Sequence, residues 1–160
     1  MLTDNERLRI TPSVFDRLLD FDPRETAEPP KSRTATISDL KRAVLRDLEW
    51  LLNSRQPIFA DERLEESVGT VVFFGIPDFT GLGVRSHEEF SKFVADIENA
   101  IRWFEPRIFE VQINFEPVSD VDRQIRFRVE ARLDIDPTPE PIAFDSVIHG
   151  EDGRISITAR

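Results

Sequence analysis

The chain has no cysteine, which excludes a disulfide framework and any thiolate metal site. It has only two histidines, His87 and His149, and neither has a second histidine at the i, i+4 spacing that would converge on a metal. Both read as surface residues, and neither a metal nor any other cofactor is expected. No stretch approaches the ~20 apolar residues of a membrane span. The opening MLTDNERLRI carries charge where a signal peptide would need an apolar core, so the sequence predicts a cytoplasmic protein without direct membrane insertion. Cations are outnumbered: 21 Lys and Arg face 31 Asp and Glu, and the net charge of −10 opposes binding to nucleic-acid phosphates. The nucleophile elbow G-x-S-x-G is missing, and Ser67 and Ser91 fall within helix-like patterns. Gly75, Gly81 and Gly83 lie in GIPDFTGLG, which is neither a P-loop nor a dinucleotide fingerprint and reads as a tight loop.

What is present suffices for one α+β domain. Of 160 residues, 39% are hydrophobic, enough for a core of ordinary size. Residues 11–20 predict a short amphipathic helix with Thr11 as N-cap, Pro12 in its first turn, and Val14, Phe15, Leu18 and Leu19 on its apolar face. A helix this short is marginal alone, so it must dock on its own domain or on a partner. Pro23, Pro29 and Pro30 mark residues 22–36 as a linker, and the division expected is an arm with linker at 1–36 and a domain at 37–160. Ser38 is the predicted cap of a long helix over 38–55. Leu40, Val44, Leu48, Leu51 and Leu52 form its buried stripe, and Arg42, Arg46, Asp47 and Glu49 its solvated side. Ser86 and Glu89 are spaced as a capping box for a second helix, in which Phe90, Phe93, Val94, Ile97, Ile101 and Phe104 make a heavy apolar face ended by Pro106.

Beyond Pro106 the period changes from 3.6 to 2. Phe109, Val111, Ile113 and Phe115 alternate with polar residues, and Ile125 to Ile135 repeat the pattern, with Pro117 to Arg123 as the intervening loop. Pro137, Pro139 and Pro141 precede a shorter strand, Ile142 to Val147. A turn at 150–153 leads to the last strand, Ile155 to Thr158. Two main helices on a mostly antiparallel sheet follow as the architecture. Residues 64–74 fit a helix or a strand, and helix is the reading adopted.

The helix-to-strand corner FEPRIF (104–109) places Glu105 and Arg107 on either side of a proline that fixes φ. One reading is an intrachain ion pair covering the end of the core. The other is a preorganised carboxylate and forked donor offered to another subunit. Paired acids could in principle serve a cell-wall glycosidase, but a guanidinium two residues from Glu105 favours its ionised form, the wrong direction for a general acid.

Four ordered blocks, RAVLRDLEWLLNSRQP (42–57), SVGTVVFFGIPDFTG (67–81), IENAIRWFEPRIFEVQINF (97–115) and PEPIAFDSVIHGEDGRISI (139–157), resemble the TssE family of type VI secretion systems. That family is similar to the contractile-phage baseplate wedge proteins described as lysozyme-like. The resemblance implies a non-enzymatic baseplate subunit that links the wedge to the contractile sheath and helps start sheath polymerisation, in a complex docked at the inner membrane. The implied partners are wedge proteins of TssF, TssG and TssK type and the TssB–TssC sheath subunits. It also implies a partner-binding role for Glu105, Pro106 and Arg107, and for the arm residues Val14, Phe15, Leu18 and Leu19. An exposed sheet edge would suit templated strand addition.

Overall fold

The two apolar periods resolve into helices and strands in the computed structural model, which describes residues 10, 12–19, 33–57, 69–79, 87–116, 124–149 and 153–159. Among the described residues the elements run α1 (Val14–Leu18), α2 (Arg33–Asn53), α3 (His87–Phe104), β1 (Ile108–Phe115), β2 (Gln124–Leu133), β3 (Glu140–His149) and β4 (Ile155–Ala159), with a 3-10 turn at Val71–Phe73. The strands form a single antiparallel sheet of order β1-β2-β3-β4. The fold is α+β and a single domain.

The predicted stripe of α2 is fully inward, with Leu40, Val44, Leu48, Leu51 and Leu52 all buried. Phe93, Ile97, Ala100 and Ile101 of α3 meet them over the inner face of the sheet, where Phe127, Val129, Ala131, Leu133 and Phe144 are buried. Phe115 of β1 stacks on Phe127 at 5.2 Å and takes the edge of Phe90 at 4.5 Å, closing the core at the start of α3. Asn53 ends α2 by pairing with β4 as a strand would. Its Nδ2 donates to the Ile155 carbonyl and its Oδ1 accepts from the Ile155 amide, at 2.8 and 2.9 Å.

Several expectations are corrected. Ser13, not Thr11, caps α1, and Asp16 returns the bond to the Ser13 amide, so the helix begins two residues later than Pro12. Thr11 itself lies outside the described residues. Helix α2 starts at Arg33, because no proline or glycine lies between Pro30 and Ser38 to stop it. Residues 33–36 are therefore helical rather than linker, and Ser38 sits inside the helix. Residues 71–73 form a single 3-10 turn rather than an α-helix, while 64–68 lie outside the described residues. Ser86, the loop 117–123, Gly81, Gly83 and residues 150–152 also lie outside them.

Strict alternation in β1 fails at its start. Ile108 pairs with inward Leu133 and Phe109 with outward Arg132, then the register shifts so that Ile113 pairs with inward Val129. Glu110, at φ 53°, marks this bulge, which lets Ile108 and Val111 both serve the core despite an odd spacing. Phe109 thus shares the outer face with Arg132. Strand β3 is longer than predicted and includes Pro141, which pairs with Arg132 of β2. The proline is tolerated because β4 covers only Phe144 to Ile148, leaving the other side of Pro141 without a ladder.

A candidate assembly site at the arm and the helix-to-strand corner

Helix α3 ends as its sequence dictates: the Glu105 amide makes the last helical bond to Ile101, 2.9 Å away, and Pro106 cannot continue the ladder. The chain turns, and the Arg107 carbonyl accepts from the Asp134 amide at 2.8 Å, fastening the corner to the end of β2. Glu105 and Arg107 are only 3% and 7% exposed, whereas Pro106 is exposed.

The two charges are forked together. Arg107 Nε donates to Glu105 Oε1 at 2.7 Å and Nη2 to Oε2 at 2.5 Å. The same Nη2 also donates to Asp47 Oδ2 of α2 at 2.6 Å, and Nη1 to Asp16 Oδ2 of α1 at 2.9 Å. Arg46 closes the circuit by donating to Asp16 at 2.7 Å and to Asp47 at 2.7 and 2.8 Å. One guanidinium therefore joins the arm, the first long helix and the corner. Burial alone would push Arg107 down, but hydrogen bonds and charge from Glu105 and Asp47 outweigh it and keep it protonated. Burial would likewise raise Asp16, yet the bonds from Arg46 and Ser13 and the charge of Arg107 hold its carboxyl below the usual aspartate range.

Periodicity assigned Arg46 and Asp47 to the solvated side of α2, but both are half-buried members of this network. The sequence reading did not single out Asp16. Its only local signal was the Ser13-x-x-Asp16 spacing of a capping box. The apolar residues of α1 divide. Phe15 meets Trp50 at 5.8 Å and lies under the Arg46 guanidinium at 4.7 Å, while Leu19 is half-buried. Val14 and Leu18 are each 75% exposed.

Beside the network lies a cleft of about 340 Å³, walled by Phe15, Trp50, Leu51, Phe74, Phe104 and Pro106. Trp50, Val71, Val72 and Trp103 are further exposed apolar side chains on α2, the 3-10 turn and α3. Among the described residues no cluster of three or more His, Cys, Asp or Glu could hold a metal ion, and no helix is long and apolar enough to cross a membrane.

The ionic junction is largely buried, and exposed tryptophan and aliphatic side chains border it. Residues 38–138 match the family of baseplate wedge protein gp25, and the chain belongs to that family. A search of curated proteins found no match. The family gives the chain a structural role in a phage-type or type VI secretion baseplate, in contact with other baseplate components.

Proposed function

We propose that this protein is the type VI secretion baseplate subunit that connects the wedge to the contractile sheath and helps start sheath polymerisation, and that it works without catalysis. The observation that carries this reading is the meeting of α1, Trp50 and the 105–107 corner in one partly apolar surface. Val14, Phe15, Leu18 and Leu19 dock the arm on wedge proteins of TssF, TssG and TssK type. Exposed apolar anchors of this kind gain most when desolvated against a partner. Glu105, Pro106 and Arg107 shape the neighbouring contact with the wedge or with the first TssB–TssC subunits. The sheet supports the sheath role, because β1 and β4 each border the described sheet with one unladdered side.

The division into an arm with linker and a wedge domain belongs to this reading, with its boundary moved from 36/37 to the start of α2 at Arg33, as does a place in a cytoplasmic complex at the inner membrane. A glycosidase role has no support in the corner, where both Glu105 oxygens accept from Arg107 and neither is set to donate a proton.

Burial changes the choice of test. Charge-swapping Glu105 or Arg107 would be expected to leave an exposed corner folded, but these two side chains are interior. The cleaner variant is Val14→Asp with Leu18→Asp, at two positions with little to lose in the isolated fold. The double variant should melt as the wild type does, yet fail to enter baseplates and leave cells without sheaths. Normal sheath assembly by a stably expressed double variant would overturn the proposal.

A further inference from the structure

Arg107 has five N–H donors, and four of their bonds are accounted for by Glu105, Asp47 and Asp16. Three of those bonds come from the domain itself. The fourth acceptor, Asp16, stands on a five-residue helix that buries none of its residues. So short a helix has little stability of its own. Its polar and aromatic anchors are the Asp16 ion pairs and the contact of Phe15 with Trp50 and Arg46.

Thirteen residues separate Leu19 from Arg33, which sets an upper limit of about 48 Å on their separation. Arg33 and Arg46 are about 20 Å apart along α2 at the helical rise, well inside that limit. Chain length alone therefore does not fix the arm at its seat.

Charge defines what would replace it. With Asp16 seated, the five groups Arg46, Arg107, Asp16, Asp47 and Glu105 carry a net charge of −1. Without it, the remaining four sum to zero, and Arg107 Nη1 keeps no acceptor among the described residues. A carboxylate is the acceptor a guanidinium N–H binds most strongly, through a charge-assisted bond of matched geometry. Beside Arg107, the domain's Trp50, Leu51, Phe74 and Phe104 offer an apolar seat on the face where Pro12, Ser13, Val14 and Phe15 of the arm stand.

Resting on the baseplate reading above, we propose that α1 is a stand-in ligand. Its seat is a binding site for a partner segment that presents a carboxylate beside an aromatic or aliphatic side chain, and that segment displaces Asp16 from Arg107 on assembly. Release of the arm then frees Phe15, with Val14 and Leu18, to dock elsewhere on the wedge. Occupation of the corner and deployment of the arm are one event.

The full chain with Asp16→Ala tests this in two ways. In the purified protein, hydrogen exchange at the Arg17 and Leu19 amides should accelerate at least tenfold while α2, α3 and the sheet keep their protection. Unchanged exchange at those amides would show that Asp16 does not hold the arm, and would overturn the proposal. In cells expressing limiting amounts, the variant should occupy baseplates several-fold more readily than the wild type, because the competing ligand is gone. Equal or lower occupancy would overturn the displacement. A wild-type chain that never enters baseplates would instead sink the baseplate reading itself, and leave the exchange result to stand on its own.

Discussion

Arg107 Nη2 lies 2.6 Å from Asp47 Oδ2, so a residue at the end of α3 is bonded to one in the middle of α2, sixty positions earlier in the chain. This bond ties the corner to the helix pair. Removing the guanidinium leaves Glu105 buried with no partner for its charge, a loss of about 3–5 kcal/mol for an interior pair broken on one side. Arg107→Gln should therefore lower the melting temperature by ~6–20 °C. Arg107→Lys should recover little, since an ammonium cannot serve Glu105, Asp47 and Asp16 with a fork. Calorimetry of the purified variants checks both.

Acid should release the arm before it unfolds the domain. The carboxyl of Asp16 is held below its ordinary value of ~3.9, so its contribution is complete above that value and is lost as pH falls through the lower, folded-state value. The groups facing it are Ser13 on its own helix, Arg46 and Asp47 on α2, and Arg107 at the corner. Trp50 emission, followed between pH 6 and 2 in a Trp103→Phe background, should change in this acid range. In Asp16→Ala that transition should be absent.

Ser146 is 1% exposed on the inner face of β3, and its Oγ has no hydrogen-bond partner. A buried hydroxyl without a partner costs about 1–3 kcal/mol of desolvation, which its removal recovers in part. Ser146→Ala should leave the melting temperature unchanged or raise it by a few degrees. A clear fall in a thermal melt would show that the hydroxyl is satisfied in solution.

Gly75 is required where it stands. Its φ is 117°, and an added Cβ would lie 2.5 Å from the Ser54 carbonyl oxygen, in the stretch where the Ile76 amide donates to that same oxygen. The neighbour is backbone and cannot move aside cheaply. Gly75→Ala combines a forbidden dihedral with a clash and should cost about 2–4 kcal/mol, measurable by denaturant unfolding.

Glu110 adopts φ 53° at the β1 bulge, a conformation that glycine and asparagine enter more easily. Glu110→Asn should be neutral or mildly stabilising. Glu110→Val, branched at Cβ, should lose about 1–2 kcal/mol in the same unfolding measurement.

Amphipathic period was enough to locate α2, α3 and the four strands, because burying one face of each element is the dominant favourable term and leaves a direct trace in residue spacing. The inward sets from Leu40 to Leu52 and from Phe127 to Leu133 follow from that trace alone. Proline chemistry located the corner at Glu105, Pro106 and Arg107 in the same way. Spacing has no means of expressing partners that are distant in sequence. Only the tertiary structure brought Asp16, Arg46 and Asp47 onto Arg107, making interior a pair that the sequence left free to face either the chain or another subunit. It also placed a bulge at Glu110 that turned Phe109 outward, because register is settled by pairing with β2 rather than by the alternation of β1 itself. The sequence thus determined the elements and their apolar faces. The packing of those elements decided which charges meet, since ionic contacts are set by positions in space and leave no period in the chain.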